Sequence, residues 1–297
     1  MTKPDPLTLN SWQVIAALDE IPAGTIERTT LLDIPLALTR DNDGRPVVWR
    51  RSDEEAGDEI DPETILDRLP VTTGYGFIWT SLGTPAGELF PIPEYSEPDR
   101  VNMSCGSIGI HVSAPRAVEN FLDMGHFPYV HTDILGAEPH TEVKEYHVEV
   151  SEERDEVLAT RCRFFQPRAA LSATDGMEIE YVYRVPHPYC SVLYKSSPEA
   201  PERRDVIAIF LQPVTQERCR AHLLQSMIDS TSTITELRRF QQTIFGQDKP
   251  ILENQYPKRL PLDPRSETPI RADKSAIAYR RWLGQKGITY GVIPAAG

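Results

Sequence analysis

Residues 118–136 read VENFLDMGHFPYVHTDILG, and four of their side chains carry chemistry: Glu119, Asp123, His126 and His131. The run APRAVENFLDMGHF reads as a helix, with Pro115 near its start and Ala117, Phe121 and Met124 roughly on one face. Asp123 and His126, three residues apart, then share a face. His126 and His131 are five apart, which on an unbroken helix turns one about 140° from the other. Both reach one ion only if the helix breaks between them. Pro128 is expected to break it, because proline has no N–H to donate and its ring clashes with the carbonyl four residues back. Spacing and proline together suit two neutral imidazoles converging on a metal.

Two histidines do not hold a catalytic metal alone, so a third ligand must come from elsewhere. TITELRRFQQTIFGQDKPILENQ, residues 233–255, is the strongest amphipathic helix pattern in the chain. Within it Asp248 has Ile244, Phe245, Ile251 and Leu252 at minus four, minus three, plus three and plus four, so its carboxylate is expected on an apolar face. An unpaired carboxylate there suffers desolvation or protonates, and a metal ion removes that cost. Gly246 and Pro250 suggest a local irregularity that aims the side chain. Two imidazoles and one carboxylate leave open positions on the ion, as in Fe(II) sites that bind O2 beside a substrate. Glu119 reads as a helix-surface group or a support behind the ligands. His111, His140, His147, His187 and His222 show no ligand spacing; a zinc site with one of them as third ligand stays open as an alternative.

Outward from this centre, the chain upstream is β-rich. Trp12–Leu18 and Leu31–Thr39 are apolar, LALTR–DNDG–RPVVWRR predicts a hairpin turning at Asp41–Gly44, and GYGFIWTSL (74–82) predicts a strand. SDEEAGDEID (52–61) predicts a solvated acidic loop, and LFPIPEYSEPDR (89–100) a linker. SIGIHVSA (107–114) reads as a strand, and the segments between residue 142 and residue 229 as about six antiparallel strands. The expected class is α+β: a small β domain over 1–100, then a domain over 101–297 whose long helix covers a curved antiparallel sheet.

Bulk properties exclude several classes. A formal charge of −13 argues against nucleic acid and against anionic membranes. No run approaches the roughly 20 apolar residues of a membrane span, and MTKPDPLTLNSW lacks a secretory pattern, so cytoplasmic residence is expected. Cys105, Cys162, Cys190 and Cys219 form no C-x-x-C pair, which argues against disulfides, a zinc knuckle or an iron–sulfur cluster held by this chain.

The 118–136 stretch resembles the ligand segment of Rieske non-haem iron oxygenase alpha subunits: a carboxylate, an aspartate, then histidines at plus three and plus eight. FQQTIFGQDKPILENQ resembles the segment carrying that family's third ligand, which falls on Asp248, and LPLDPRSETPIRADKSAIAYRRWLGQKGI resembles the end of its phthalate dioxygenase/vanillate demethylase branch. The resemblance implies a helix-grip catalytic domain from about residue 101, Fe(II) on His126, His131 and Asp248, and Asp123 as the link to a [2Fe–2S] cluster. Yet the family's cluster loops, C-x-H and C-x-x-H, have no counterpart: no cysteine precedes Cys105 and no histidine precedes His111. The chain thus resembles a Rieske-type fold without its cluster, like the cluster-less chain of methylxanthine N-demethylases. This implies electrons from an NAD(P)H-linked reductase or ferredoxin bearing a Rieske cluster, a homo- or hetero-oligomer, and O2-dependent demethylation or hydroxylation of a small aromatic or purine-like substrate. The substrate is expected between sheet and helix, near Phe165, Phe240 and Phe245. Two other readings compete: a non-catalytic structural or regulatory subunit, and a helix-grip binding protein without metal.

Overall fold

The computed structural model describes residues 3–51, 65, 67–171, 175–197 and 199–295, so the acidic stretch 52–61 lies outside the described residues. A short helix, α1 (Pro6–Asn10), leads into β1 (Gln13–Ala17). Next come β2 (Glu27–Leu31), β3 (Ile34–Arg40) and β4 (Pro46–Arg50), an antiparallel sheet in chain order. β5 (Val71–Gly74) and β6 (Phe77–Thr80) join β1 in a second sheet, ordered β1-β6-β5.

The Asp41–Gly44 turn forms as expected: Asp41 Oδ1 accepts from the Asp43 and Arg45 N–H groups at 3.0 and 2.8 Å, and Gly44 takes a φ of 78°. The two neighbouring apolar runs differ from expectation. Leu31–Thr39 contains a turn at Leu32 and Asp33 (φ 52° and 66°), and 74–82 contains one at Tyr75 and Gly76 (φ 58° and 81°). Paired positive φ angles make hairpin turns that match strand twist. Neither Leu-Asp nor Tyr-Gly carries the usual turn signature, so each hairpin reads as one strand.

From the 89–100 linker the chain enters β7 (Val101–Ile110), six residues earlier than the 107–114 reading. Two helices follow, α2 (Ala114–Leu122) and α3 (Phe127–Val130). The meander is β8 (His147–Ser151), β9 (Glu156–Gln166), β10 (Met177–His187), β11 (Cys190–Ser196), β12 (Arg204–Thr215) and β13 (Arg218–Met227). These six strands and β7 form one antiparallel sheet, ordered β7-β13-β12-β11-β10-β9-β8. α4 (Ile234–Asn254) crosses it beside β7. β14 (Leu260–Pro261), α5 (Lys274–Gln285) and β15 (Val292–Ile293) complete the chain. The class is α+β, as expected.

β12 shows why the central strands read as unbroken apolar runs. Val206, Ala208 and Phe210 pack on Val14, Phe77 and Trp79 of the β1-β6-β5 sheet, whereas Ile209 and Leu211 face the core under the helices. Both faces are buried, so polar alternation is lost. Polar links join β12 to the β2-β3-β4 sheet as well: Gln212 Nε2 donates to Thr29 Oγ1 at 2.6 Å, and the Leu32 N–H to the Pro213 carbonyl at 2.8 Å. No helix among the described residues is long and apolar enough to cross a membrane.

Candidate metal centre

α2 starts where Ser113 Oγ accepts from the Arg116 N–H, and it ends at Leu122, not at Phe127. The helical path therefore breaks at Asp123–Gly125, upstream of Pro128. Asp123 makes the break: its backbone is extended (φ −81°, ψ 123°), and its Oδ1 accepts from the Gly125 N–H at 2.7 Å. Pro128 lies in the first turn of α3, where a missing N–H costs nothing. α3 is bracketed by the two histidines, His126 at its start and His131 at its end. Behind it Gly136 returns against Pro128, where an added Cβ would meet the Pro128 nitrogen at 2.8 Å. A side chain there would push α3 off its seat.

α4 brings the third group. Thr233 caps it, its hydroxyl accepting from the Glu236 N–H while the Glu236 carboxylate accepts from the Thr233 N–H. The helix runs through Gly246 and Pro250 without ending, so the expected irregularity does not interrupt it. Phe245 and Leu252 are buried beside Asp248, but Ile251 is 46% exposed, so the carboxylate stands at the border of the apolar face.

The three side chains converge. His126 Nε2 lies 3.2 Å from His131 Nε2, His131 Nε2 lies 3.0 Å from Asp248 Oδ1, and His126 Nε2 lies 3.3 Å from the same oxygen. Ligands about 2.1 Å from one first-row ion sit about 3.0 Å apart at right angles and about 3.4 Å apart in a tetrahedron, and this triangle falls in that range. Among the described residues it is the one group of three or more His, Cys, Asp or Glu side chains spaced to share an ion.

The tautomers agree with that use. His126 Nδ1 faces Asp123 Oδ2 at 3.0 Å, and His131 Nδ1 faces Gln247 Oε1 at 2.9 Å. Both acceptors hold the proton on Nδ1, so both Nε2 lone pairs point inward. Two lone pairs 3.2 Å apart repel unless a proton or a metal cation lies between them. Burial disfavours charge on His126, but Asp123 and Asp248 outweigh it and hold the metal-free imidazole up at about 9. Burial raises Asp248, yet the two histidines bring it below the usual carboxylate range. The donor set therefore fits a divalent ion.

Other expectations sort clearly. Glu119 is 9% exposed and ligates nothing; it accepts from Arg280 at 2.5 and 2.6 Å and from Arg116 at 3.2 Å. His222 and His187 are buried elsewhere and pushed down to about 3 by burial. His140 packs against Phe165 with the rings tilted by 37° and their centroids 4.5 Å apart. Phe240 and Phe245 line a cavity beside His126, but Phe165 does not, because its strand position turns it outward. Sequence reasoning missed Gln247, which no spacing rule singles out. It also missed Gln225 and Gln241, which line the cavity and are detectable as polar residues inside apolar stripes.

His126 and Asn120 form a wall shared by two spaces. On one side is the mainly apolar cavity between sheet and α4. On the other is a surface cleft holding Asp123, Ile251, Gln255, Glu267 and Asp273. Asp123 is 35% exposed there, while His131 behind it is 1% exposed.

Residues 110–287 match the family described as the vanillate O-demethylase oxygenase C-terminal domain. The chain is 42% identical over 283 residues to NdmC, a probable methylxanthine N7-demethylase of Pseudomonas sp. (strain TJI-51), covering 95% of this chain and 96% of that one. It belongs to the Rieske-type oxygenase alpha subunits. Solved structures share this fold. Pseudomonas putida CBB5 NdmA with caffeine has a TM-score of 0.70 at 20% identity, covering 94% of this alpha subunit and 92% of that chain. Dicamba monooxygenase bound to 3,6-dichlorosalicylic acid has a TM-score of 0.71 at 16% identity, covering 94% and 97%. The alpha subunit is accordingly an oxidoreductase, with the family's cluster cysteines absent from residues 1–104.

Proposed function

We propose that this alpha subunit demethylates a small N-methylated heteroaromatic compound, with Fe(II) held by His126, His131 and Asp248. The observation that carries this reading is the triangle of ligand atoms, 3.0 to 3.3 Å on each side, at the end of an apolar cavity. Bound there, Fe(II) supplies O2 activation. The overall change consumes the N-methyl compound, O2, two electrons and two protons, and yields the N–H compound, formaldehyde and water. His126 and His131 present Nε2, Asp248 supplies one anionic oxygen, and the apolar walls exclude water and place the methyl group. The relative's name supports a methylxanthine as substrate.

Residues 1–104 hold no cysteine, which supports electrons arriving from a second polypeptide, an NAD(P)H-linked protein with a Rieske [2Fe–2S] cluster. It docks at the cleft beside Asp123, whose Oδ2 holds His126 from that side. Residues 1–100 then serve as a cluster-free frame and 101–297 as the catalytic unit of a cytoplasmic homo- or hetero-oligomer. A purely structural subunit has no need of a carboxylate and two imidazoles aimed at one point.

The test is anaerobic purification followed by iron analysis and turnover with a Rieske-bearing reductase, following O2 uptake and formaldehyde. About one iron per chain and O2-dependent formaldehyde support the reading. Iron and turnover both surviving His126→Ala would sink the ligand assignment, and iron without turnover would favour the structural subunit.

A further inference from the structure

The sheet floor of the cavity beside His126 carries an amine. Tyr181 of β10 stands directly opposite Lys195 of β11, and Lys195 directly opposite Asp205 of β12. Opposed side chains share a sheet face, and all three line the cavity. Tyr181 packs on Phe127 with ring centroids 6.3 Å apart, and Phe127 on His126 at 4.9 Å, so this row reaches the metal end. In the other direction β11 runs out toward Glu199, an exposed residue at the cavity rim. Lys195 thus lies along the route from the metal end to the rim.

This lysine is 5% exposed, and its Nζ donates to the Ala169 carbonyl. Asp205 is turned to another partner, its Oδ1 accepting from the Ile228 N–H at 2.8 Å. Among the described residues no carboxylate forms an ion pair with Lys195, whereas Lys144, Lys249, Lys274 and Lys286 each pair with a glutamate or an aspartate. Burial disfavours the ammonium and brings Lys195 down to about 8, although the charge of Asp205 works the other way. A sizeable share is then neutral amine near neutral pH, whereas an ordinary lysine is almost wholly protonated there. One hydrogen is held by Ala169, and the nitrogen lone pair is left as a nucleophile.

Demethylation leaves formaldehyde, a small electrophile, inside this cavity, and Lys195 is the one lysine that lines it among the described residues. We propose that Lys195 is a covalent acceptor for the formaldehyde formed at the metal end. Nζ adds to the carbonyl carbon while one N–H proton passes to the oxygen, giving a carbinolamine. Its hydroxyl then leaves with the remaining N–H proton as water, and an imine is formed. Neither step needs an oxidant or a reductant, and water reverses both. The amine therefore delays formaldehyde on its way to the rim. This inference rests on the demethylation reading above.

The first test treats the full iron-loaded chain, under nitrogen and near neutral pH, with isotope-labelled formaldehyde and cyanoborohydride. The hydride reduces each imine to a stable methylamine, read lysine by lysine in peptide mass spectra. Lys195 should be labelled about tenfold faster than Lys144 or Lys274, because more of it is neutral amine, and concentrated urea should abolish that lead. Labelling of Lys195 no faster than of the exposed lysines would make it a structural tie to Ala169 and overturn the proposal. The second test follows turnover of 7-methylxanthine, isotope-labelled in its methyl group, with the Rieske-bearing reductase and cyanoborohydride. Formaldehyde dehydrogenase converts whatever escapes into formate. Label should collect on Lys195 and not on Lys144 or Lys274. Formate without label on Lys195 would overturn the proposal and leave the demethylation reading standing. A chain that yields neither formate nor labelled lysine would overturn both.

Discussion

Gln247 Oε1 lies 2.9 Å from His131 Nδ1, and the next residue along α4 is Asp248, whose Oδ1 lies 3.0 Å from Nε2 of the same ring. One helical turn thus grips His131 from both ends. The carboxamide holds the Nδ1 proton and the ring plane, and the carboxylate meets the nitrogen left free. Gln247→Leu should therefore weaken Fe(II) binding about 10- to 100-fold, the usual range for removing the partner behind a metal-bound imidazole. Competition with a coloured chelator under nitrogen measures this. Gln247→Glu, which keeps an acceptor, should lose much less. Equal affinity in wild type and Gln247→Leu would show that His131 is oriented by its surroundings alone.

Asp123 acts on the other histidine and from the other side. Its Oδ1 holds the Gly125 N–H and its Oδ2 the His126 ring, so one carboxylate both ends α2 and orients that imidazole while reaching the surface cleft. Asp123→Asn has one oxygen for two donors. It should retain iron but lose about 100-fold in turnover driven by the reductase. Hydrogen peroxide brings oxygen together with two electrons, so turnover supported by peroxide should fall far less. A parallel loss in both assays would place Asp123 in substrate binding or folding, not in electron delivery.

The convergence of His126, His131 and Asp248 was legible because its signals are local: an Asp, two histidines and an apolar-stripe carboxylate each violate an expectation of cost or spacing within one segment. The break between the histidines was legible as a need, but its cause was misplaced. Proline at the start of a short helix is unremarkable, whereas an aspartate capping its own downstream N–H stops α2 first. The hairpins at Leu32–Asp33 and Tyr75–Gly76 were hidden because their turn residues are held by tertiary packing, not by local preference. α5 was missed for a similar reason. Tyr279, Trp282 and Leu283 form its buried stripe, but Arg280 is buried with them because it pairs with Glu119 from α2, a contact 161 residues away. No window along the chain contains that pair.

That pair carries a stability cost that can be measured. Glu119 accepts from Arg280 and Arg116, and both arginines also reach Glu267. Arg116 and Arg280 are 2% and 6% exposed. Glu119→Ala leaves two guanidinium groups sharing one half-exposed carboxylate, so stability should fall by about 3–5 kcal/mol. Urea denaturation of the iron-loaded protein reads this. The same variant kept cold should still bind one iron, because Glu119 touches none of the three ligand atoms. Loss of iron from a chain that remains folded would contradict the separation of the two roles.

His222 gives the chain an acid-sensitive joint between the N-terminal sheets and the seven-stranded sheet. Its Nε2 donates to Gln212 Oε1 at 3.1 Å, and Gln212 in turn donates to Thr29 and to the Thr30 carbonyl across the junction. Burial, with Arg220 nearby, lowers the imidazole to about 3. Above the ordinary histidine value of about 6.5, folded and unfolded chains are both neutral here and no penalty exists. As pH falls through 6.5 the unfolded chain binds a proton that the folded chain refuses until about 3, so stability declines with falling pH across that window. Well inside the window this one group contributes a slope of about 1.4 kcal/mol per pH unit. His222→Gln keeps a donor for Gln212 but does not titrate. Its stability loss between pH 7 and pH 5, read from urea midpoints, should be smaller than that of wild type by about 1–2 kcal/mol. His187, buried in the same way, keeps its own contribution in both proteins. Identical pH slopes in the two would mean that His222 takes up its proton in the folded chain, with the Gln212 contact giving way first.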